Sequence, residues 1–578
     1  MKQMKKVLGI FLGTVISAAA FTGCYKDLGA YDYKDINSLN ITTDMSEADP
    51  AVFVTPDSII VKPSDVLTVK LKVDQSLGNA ENFDYQWLVT QYAQAGSNPN
   101  QYVLGTSAVL SKKISLSPNL YNLIVRVTDK STGVSFYKRF ALNVTGKWGS
   151  EGWLVLQEFA DGSDVSIIAS RDGSTHGAIY ENVYSITNLQ KLPLGAYSIN
   201  VVNHQDATKA QKISIFHPNG GVEVRSYDFM DSVKAENWYA QKPGLVHMES
   251  NGNFTSSGTG YEYVINNGQI SARQVGLTTI GTQPFYFNPP FVGSFTLSPF
   301  VISSYSSDNY VTLYDKVHRC FLLMTLNDGK VRRTSLVTED DIPNKHFVDY
   351  SVTGDDANKT KAKAALDPAT GSGYDMNNMK DNLIAADNAQ VMTSSATPYW
   401  NCVFRNDANS NTYVVQFPRQ YVGGYVNTAT TGRYNLVDAV GKCPDINSAT
   451  LFAVPTFLTV PGGKFYYASN NKIYTCSLKT PQNASTAVAQ ISYPEGTVIK
   501  AMKVFKSGYK PANLIASVPD GKVLVVATDE TASGGGNNVY FYSLVSTGTT
   551  AGDINQKIDS YSGFGKITDI AFKKAIGQ

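Results

Sequence analysis

The stretch Asn266–Ala272, NNGQISA, places an Asn-Gly pair directly before an alternating run of residues. Asn and Gly adopt the positive φ angles that a tight two-residue hairpin needs. The run before the pair, Tyr261–Ile265 (YEYVI), is rich in aromatic and β-branched residues, which favour strands. The stretch therefore predicts two antiparallel strands joined by a hairpin.

The same arrangement recurs along the second part of the chain. An Asn- or Asp-containing turn, usually with Gly, is followed by a new strand in PNGGVEV from Pro218, NDGKVRR from Asn327, SNNKIYT from Ser469 and PDGKVLV from Pro519. Strand-like runs precede these turns: KISIFH, CFLLMTL, KFYYA and NLIASV. A recurrence of roughly 50 to 60 residues predicts repeating antiparallel units, as in propeller blades.

The length of this region sets the predicted number of blades. Residues 148–578 comprise 431 residues, enough for seven or eight units of about 50 to 60 residues. EGWLVLQEF from Glu151 and KITDIAFK from Lys566 are candidates for one shared blade that closes the ring. A row of further sandwiches would instead show linkers about every 100 residues, and the sequence has none. The charged, small-residue-rich stretch 338–391 is predicted to be an insertion.

A different pattern precedes residue 148. Strand-like runs at Val66–Val73, Phe83–Val89, Tyr121–Asp129 and Phe136–Val144 have the spacing of an immunoglobulin-like sandwich, with Trp87 in its core. The composition, with 34 tyrosines and 26 phenylalanines, is also that of a β protein. The fold prediction is an all-β chain: an immunoglobulin-like β-sandwich over 40–147 followed by a seven- or eight-bladed β-propeller over 148–578.

The first 23 residues have the layout of an export signal. Lys2, Lys5 and Lys6 precede an apolar run that is too short for a comfortable membrane span. The run ends in Phe21-Thr22-Gly23-Cys24, which resembles the bacterial lipobox, and that resemblance implies a lipidated Cys24 followed by a tether over 24–39. The alternative is a plain signal peptide with an incidental cysteine.

The tether YKDLGAYDYKDIN and the sandwich after it resemble the PKD-like lipoprotein family of Bacteroidota. The resemblance implies anchoring in the outer membrane through Cys24, facing the cell exterior, beside a TonB-dependent porin and a SusD-like lipoprotein of Sus-type nutrient uptake. Lys26-Asp27 resembles a charged surface-export tag, although a merely polar tether is the alternative. Trp87 is followed by Leu88-Val89-Thr90 and not by the Phe-Gly-Asp type of continuation, so no functional residue is transferred.

Charge and cysteine content exclude some partners and leave others open. Removing the leader's three lysines from 49 basic residues leaves 46 against 48 acidic residues, and this balance argues against nucleic acid. Cysteines follow Cys24 at positions 320, 402, 443 and 476, too far apart for a short metal motif. We expect Cys320, Cys402, Cys443 and Cys476 to be buried free thiols, or to form at most one pair.

The sequence carries no pattern typical of catalysis. The six histidines form no His-x-His or His-Glu-x-x-His pair, and there is neither a Gly-x-Ser-x-Gly elbow nor a calcium loop. The prediction is therefore no catalytic residue, no metal and no cofactor. Propellers can nevertheless draw catalytic carboxylates from different blades, so a hydrolase or lyase acting on surface polysaccharide remains an alternative.

Aromatic residues in Pro- or Gly-containing stretches are the best binding candidates. TQPFYFNPPFVGSF from Thr282, TPYWNCVF from Thr397 and FPRQYVGGYV from Phe417 supply Tyr286, Phe291, Tyr399, Trp400, Tyr421 and Tyr425. Rings on rigid loops can stack on sugars or pack against peptide side chains. The alternative is that these rings fill gaps between blades.

The expected function is a non-catalytic surface lipoprotein that binds extracellular glycan or peptide, docks on an uptake complex, or does both. A polysaccharide-cleaving enzyme and an adhesin for host or neighbouring-cell protein are the alternatives.

Overall fold

The computed structural model describes residues 37–575 apart from 45–52, 55–56, 63–65, 78–81, 92–100, 115, 117–118, 147, 204–210, 240, 257–258, 276–285, 292, 294, 303–309, 326–329, 334–373, 375, 377, 389–398, 419–420, 423–424, 427–431, 456–462, 480–483 and 507–520. The predicted leader, Cys24 and most of the tether lie outside these ranges. Two compact units emerge, and the second contains residues 143–578 together with 61–64 and 114–120.

The first part of the chain forms two sheets. Its strands are β1 (Leu39–Asp44), β2 (Phe53–Val54), β3 (Ser58–Val61), β4 (Val66–Gln75), β5 (Phe83–Gln91), β6 (Gln101–Gly105), β7 (Val109–Lys113), β8 (Asn119–Asp129) and β9 (Ser135–Val144). One sheet has the order β1-β4-β7 and the other has the order β2-β3-β9-β8-β5-β6. The four predicted strands are thus present, and the first strand begins at Leu39, one residue before the predicted start of the sandwich.

Trp87 on β5 is a core residue of this sandwich, as predicted. Its ring is fully buried and stacks on Phe140 with a centroid distance of 6.5 Å. Its indole N–H donates to the carbonyl oxygen of Ser107 at 2.8 Å. The buried ring therefore keeps its polar atom satisfied.

The second part forms seven sheets of three or four strands among the described residues, besides one two-stranded hairpin. Blade 1 contains β10 (Gly152–Phe159), β11 (Gly162–Ile168), β12 (Ile179–Tyr180) and β37 (Lys566–Lys573), and blade 2 contains β13 (Ser198–Asn203), β14 (Gln211–His217), β15 (Gly220–Arg225) and β16 (Asp231–Lys234). Blade 3 contains β17 (Met248–Ser256), β18 (Thr259–Asn266) and β19 (Gln269–Val275), blade 4 contains β20 (Tyr310–Asp315), β21 (Cys320–Thr325) and β22 (Lys330–Arg333), and blade 5 contains β23 (Asn382–Asn388), β24 (Tyr399–Arg405), β25 (Thr412–Pro418) and β28 (Gly432–Leu436). Blade 6 contains β29 (Leu451–Ala453), β30 (Gly463–Ser469), β31 (Lys472–Leu478) and β32 (Thr486–Ser492), and blade 7 contains β33 (Val498–Val504), β34 (Val523–Asp529), β35 (Asn537–Leu544) and β36 (Ile554–Phe564).

A few short elements lie between blades or between the strands of one blade. A hairpin of β26 (Tyr421–Val422) and β27 (Tyr425–Val426) lies between β25 and β28. Helix α1 (Val183–Asn188) lies between blades 1 and 2, and 3₁₀ turns occupy Ala235–Asn237, Ile446–Ser448 and Thr531–Ser533.

The blades are joined by buried layers, which we call seams. Each seam contains apolar residues from two consecutive blades, as in Leu154 with Ile213, Phe216 with Val264, Ile265 with Leu322, Phe321 with Phe404, Val414 with Tyr474, and Tyr466 with Val526. The last seam joins Val525 of blade 7 to Val155 of blade 1. The seven sheets therefore form a closed ring, a seven-bladed propeller.

Blade 1 contains strands from both ends of the propeller sequence. β10 pairs antiparallel with β37, with Trp153 opposite Phe572 and Glu158 opposite Lys566. The predicted shared blade is thus confirmed. Because the ring closes in this way, the apolar layer between blades 7 and 1 is buried and not exposed to solvent.

The Asn-Gly hairpin from which the repeat was inferred has the expected geometry. Asn267 and Gly268 have φ angles of 49° and 71°, and Asn266 pairs with Gln269 across the turn. A Cβ atom at position 268 would lie 2.5 Å from Cγ2 of Thr296, so this position also needs glycine for space. The turn of NDGKVRR and the run NLIASV lie outside the described residues.

The predicted insertion at 338–391 extends too far along the chain. Asn382–Asn388 is strand β23 of blade 5, and Leu383 is buried opposite Phe404 of β24. Ile384 and Ala385 pack against the seam between blades 5 and 6. The Asn and Asp residues on both sides of this short apolar run conceal the strand in the sequence. In blade 4, a further segment pairs with β20 through bridges from Leu297 to Asp315 and from Ile302 to Thr312, and it takes the innermost position.

Candidate binding face of the propeller

Strand direction defines two faces of the ring. The innermost strands of neighbouring blades lie beside one another, as β37, β13 and β17 do, and neighbouring strands within each blade are antiparallel. We letter the strands of a blade A to D from the inside outward. The face from which the A–B and C–D connections leave is called the AB face, and the face with the D–A and B–C connections is called the DA face.

Three of the predicted binding residues reach the AB face of blade 5. Tyr399 begins the B strand and is paired with Pro418 at the end of the C strand. Tyr421 and Tyr425 belong to the hairpin in the C–D connection that follows. The structure describes the backbone of these three residues, and it places them at the same end of the same blade.

The other three predicted residues have different positions. Trp400 is only 7% exposed and packs in the seam between blades 4 and 5, so the prediction of a ligand-facing ring is wrong for Trp400. Phe291 packs against the seam between blades 3 and 4. Both therefore fill gaps between blades, because apolar rings bury more area there than on a loop. Tyr286 is 47% exposed beside the buried Phe287.

The AB mouth of the central channel carries an ion pair. Asp387 lies near the end of the A strand of blade 5, and Lys506 follows the A strand of blade 7. Their side chains form a salt bridge across the intervening blade 6. The other carboxylate oxygen of Asp387 accepts a hydrogen bond from the backbone N–H of Val454 in blade 6, at 2.9 Å. One carboxylate thus connects three blades.

A second carboxylate connects the next three blades. Asp569 on β37 pairs with Lys503 on β33, with 2.8 Å between Nζ and Oδ1. Its other oxygen accepts a hydrogen bond from the backbone N–H of Ile199 on β13, at 3.0 Å. Blades 7, 1 and 2 are therefore connected through Asp569.

These contacts determine what the channel carboxylates can do. Glycoside hydrolysis by paired carboxyl groups needs one group to hold a proton and the other to act as base or nucleophile. Both carboxylate oxygens of Asp387 and of Asp569 contact groups of other blades, so this geometry suits holding neighbouring blades together. Within the described part of the chain, no three His, Cys, Asp or Glu residues gather as a metal site.

A buried charged network in the seam between blades 2 and 3 is a feature that the sequence reasoning missed. Arg273 is paired with Glu262 (Nε to Oε2, 2.7 Å) and with Glu223 (Nη2 to Oε2, 2.9 Å). Lys212 contacts the second oxygen of Glu223 at 2.6 Å. The guanidinium also lies 4.4 Å from the ring centre of Phe287. Two positive and two negative groups balance inside the protein.

Burial opposes the charge on Arg273, but Glu262 and Glu223 outweigh that effect, and the pKa of Arg273 is raised. The sequence does hold one signal for this pair. Glu262 and Arg273 are equally far from the Asn267–Gly268 turn, so a two-residue hairpin places them directly opposite each other. Glu223 comes from another blade, and no local pattern predicts its approach.

A small depression lies where blade 7 meets blade 1. It has a volume of about 60 Å³ and lies between Phe159, Phe564, Gln157 and Ser166. Gln157 donates to the Ser166 hydroxyl at 2.7 Å and accepts from the backbone N–H of Gly565 at 2.8 Å. This volume is far below that of a small-molecule pocket, and Gln157 is already hydrogen-bonded to neighbouring groups of the protein.

Exposed apolar side chains are a feature of the DA face. Leu189 is 92% exposed and Val440 is 98% exposed. Leu194, on the same connection as Leu189, and Leu245 and Val317, on other connections of this face, are also exposed. Leu189 ends helix α1 with a φ angle of 58°. Glycine or asparagine normally takes that position, so the helix itself gains nothing from a leucine there.

The two parts together define an all-β protein that combines an immunoglobulin-like sandwich with a seven-bladed propeller. Residues 24–193 match the PKD-like family. This match confirms the predicted resemblance of the N-terminal region to that family. No curated protein matches the chain, and no helix among the described residues has the length and apolar content to cross a membrane.

Several solved structures resemble the chain at low identity. A quinonprotein alcohol dehydrogenase-like protein from Bacteroides thetaiotaomicron is 14% identical, with 90% of this chain and 97% of that chain covered and a TM-score of 0.36. A chain of the nidogen/laminin complex is 10% identical, with 66% and 100% covered and a TM-score of 0.28. The NanB sialidase from Streptococcus pneumoniae is 10% identical, with 86% and 92% covered and a TM-score of 0.23. At these scores the likeness supports no conclusion about activity, ligand or partner.

Proposed function

We propose that the chain is a non-catalytic lipoprotein of the outer membrane, anchored through Cys24 and facing the cell exterior. Its AB face binds an extracellular glycan or peptide. Its DA face docks on a TonB-dependent porin or the SusD-like lipoprotein beside it. The observation that carries the binding proposal is the convergence of Tyr399, Tyr421 and Tyr425 at the AB end of blade 5.

Tyrosine suits this role for a physical reason. Its ring offers an apolar face to the C–H surface of a sugar or to a peptide side chain, and its hydroxyl group forms hydrogen bonds at the same time. The adjacent channel mouth adds the charged pair of Asp387 and Lys506. A ligand that carries both apolar faces and hydroxyl or amide groups matches this combination.

Exposed apolar residues support the docking part of the proposal. Single exposed apolar residues are normal on soluble proteins, but here they recur on several connections of the DA face, which supports an interaction at that face. Leu189 is the most informative of them, because its left-handed backbone would be easier for glycine or asparagine. A porin or a SusD-like protein is the partner class that the family resemblance implies.

Ligand binding is tested with the double variant Tyr421→Ala/Tyr425→Ala against a panel of soluble glycans and peptides. Loss of one aromatic contact of about 1.4 kcal/mol weakens binding roughly tenfold, and we expect at least this loss. The control is Tyr137→Ala, since Tyr137 is an exposed tyrosine of the sandwich. Equal affinity of wild type and double variant would remove the AB face from the proposal.

The same panel separates binding from catalysis. The proposal predicts bound but unchanged glycan after prolonged incubation. New reducing ends or unsaturated products, abolished by substitution of a channel carboxylate, would replace the proposal by the polysaccharide-cleaving alternative. Binding to whole cells or matrix protein without binding to any soluble oligosaccharide would favour the adhesin.

Docking is tested by capture of the porin or the SusD-like protein from solubilised outer membrane. We expect Leu189→Asn to reduce capture while leaving stability unchanged or slightly raised, because asparagine tolerates the left-handed conformation. Val488→Asn is the matched control, since Val488 is an exposed valine on the outer strand β32. Equal capture by wild type and both variants would refute docking through the DA face.

Anchoring is tested separately by mass spectrometry of the mature amino terminus. We expect cleavage before Cys24 and acyl chains on that residue, which give stable membrane binding. An unmodified amino terminus would contradict the anchor while leaving the two faces of the propeller open to the tests above.

A further inference from the structure

Two of the four cysteines after Cys24 lie against each other. The Sγ atoms of Cys443 and Cys476 are 3.8 Å apart, and both side chains are fully buried in the seam between blades 5 and 6. Cys443 belongs to the connection that enters blade 6, and Cys476 lies on β31 of that blade. Cys320 and Cys402 lie in two other seams.

We propose that Cys443 and Cys476 form a disulfide bond when the chain folds in an oxidising compartment. The bond would fix the connection after blade 5 to the third strand of blade 6. The gap to close is from 3.8 Å to the bonded distance of about 2 Å. We expect a change of side-chain torsion at one or both residues to bring the two sulfur atoms to this distance.

The surroundings support this pair. The backbone N–H of Ala487 donates to the carbonyl oxygen of Lys442 at 2.7 Å, and Ala487 is also paired with Cys476 across β31 and β32. Ala487 therefore holds both cysteine-bearing segments in place. In the folded chain, the contact with Cys476 also lowers the pKa of Cys443.

The chemistry is thiol–disulfide exchange with a protein disulfide as the oxidant. The thiolate of Cys443 attacks one sulfur of the oxidant and releases the other as a thiol. The thiolate of Cys476 then attacks the mixed disulfide and releases the second thiol. The two cysteines lose two electrons and two protons, and the oxidant becomes a dithiol. Because both sulfur atoms are buried in the folded ring, the exchange takes place before blade 6 packs.

The test is residue-specific peptide mapping of the full chain exported into an oxidising bacterial periplasm and denatured in the presence of an alkylating reagent. We expect a peptide linked through Cys443 and Cys476, 2 Da lighter than its two reduced parts, and alkylated Cys320 and Cys402. Alkylation of all four residues to the same degree, or a link through Cys320 or Cys402, would overturn the proposal.

Thermal unfolding of cysteine variants provides a second test of the same bond. Reducing agent should lower the melting temperature of wild type by several degrees and should not change that of Cys443→Ser. The double variant Cys320→Ser/Cys402→Ser is the matched control, and it should keep both the linked peptide and the response to reductant. If Cys443→Ser does not fold, the peptide map of the wild type still decides the question. None of these results depends on the ligand or on the docking partner.

Discussion

Two seams of the propeller differ in chemical composition: one is aromatic and the other contains buried charges. The closing seam between blades 7 and 1 surrounds Trp153, whose ring lies 5.7 to 6.1 Å from the rings of Phe505, Phe541 and Phe572. The charged seam between blades 2 and 3 contains Arg273 between Glu262 and Glu223. The chain runs continuously across the charged seam. At the closing seam, Trp153 of β10 meets Phe505 and Phe541 of blade 7, which lie more than 350 residues later in the sequence, and β10 is also paired with β37 from the other end of the propeller sequence.

The difference follows from how the blades are connected at each seam. Buried ion pairs lose hydration and are weak evidence for stability, while apolar burial is favourable without any directional requirement. The backbone passes directly from β36 of blade 7 to β37 of blade 1, but β10, β11 and β12 are attached to β37 and to blade 7 by noncovalent contacts alone. An aromatic layer is therefore expected around β10, and a charged network can be accommodated where the backbone already joins the blades.

The largest effect is expected at the closing seam. Trp153→Ala should lower the free energy of unfolding by about 5 kcal/mol, at the upper end for a buried tryptophan, because several ring contacts are lost together. Hydrogen exchange should increase first in β10 and β37. Trp87→Ala is the matched control, since it removes a fully buried tryptophan from the sandwich. Equal protection of β10 and β37 in both variants would refute a special role for Trp153.

In the charged seam, the stability changes caused by substituting Arg273 and Glu262 should be strongly non-additive. Arg273→Met leaves Glu262 uncompensated in the interior and should destabilise the chain by about 3 kcal/mol. Adding Glu262→Leu should restore most of that loss, because Glu223 keeps its contact with Lys212 at 2.6 Å. Urea unfolding of the two single variants and the double variant gives the coupling energy. Additive losses would mean that Arg273 and Glu262 act independently.

The comparison also explains what the sequence could predict. Local signals gave the Asn267–Gly268 hairpin, the alternation of β4 and the shared blade 1, because each depends on neighbouring residues or on the two ends of a repeat. Seam contacts depend on residues that approach from different blades. The approach of Glu223 to Arg273 and the burial of Trp400 therefore had no sequence signal. The partial overlap of the predicted insertion with β23 has the same origin, since Leu383 is its only deeply buried apolar residue.

Lys573 makes blade 1, which closes the ring, sensitive to pH. It is fully buried at the end of β37, and its ammonium group donates to the backbone carbonyl oxygens of Trp148 (2.6 Å) and Ser150. Burial lowers the pKa of Lys573 to about 7, against 10.5 for an ordinary lysine. Between these values the unfolded chain binds one proton more than the folded chain, so stability rises with pH.

We expect the free energy of unfolding to rise by about 1 kcal/mol between pH 8 and pH 9 through this one group. Lys573→Met should lose that increment, whereas Lys557→Met, at an exposed lysine of β36, should keep it. Denaturation curves of the three proteins at both pH values provide the measurement. Parallel pH dependence in all three would show that Lys573 stays charged in the fold.

The smallest effect is expected at the turn that sets the register of the charged seam. Asn267 has a φ angle of 49°, which glycine adopts easily at the expense of a more flexible unfolded chain. Asn267→Gly should therefore change stability by no more than about 0.5 kcal/mol, while Asn267→Ala should lose about 1 kcal/mol because alanine is strained in this conformation. Thermal unfolding of both variants measures the difference. If Asn267→Gly cost as much as Arg273→Met, the turn and the ion pair would have to be one cooperative unit, and the charged seam would depend on the hairpin register more than on its charges.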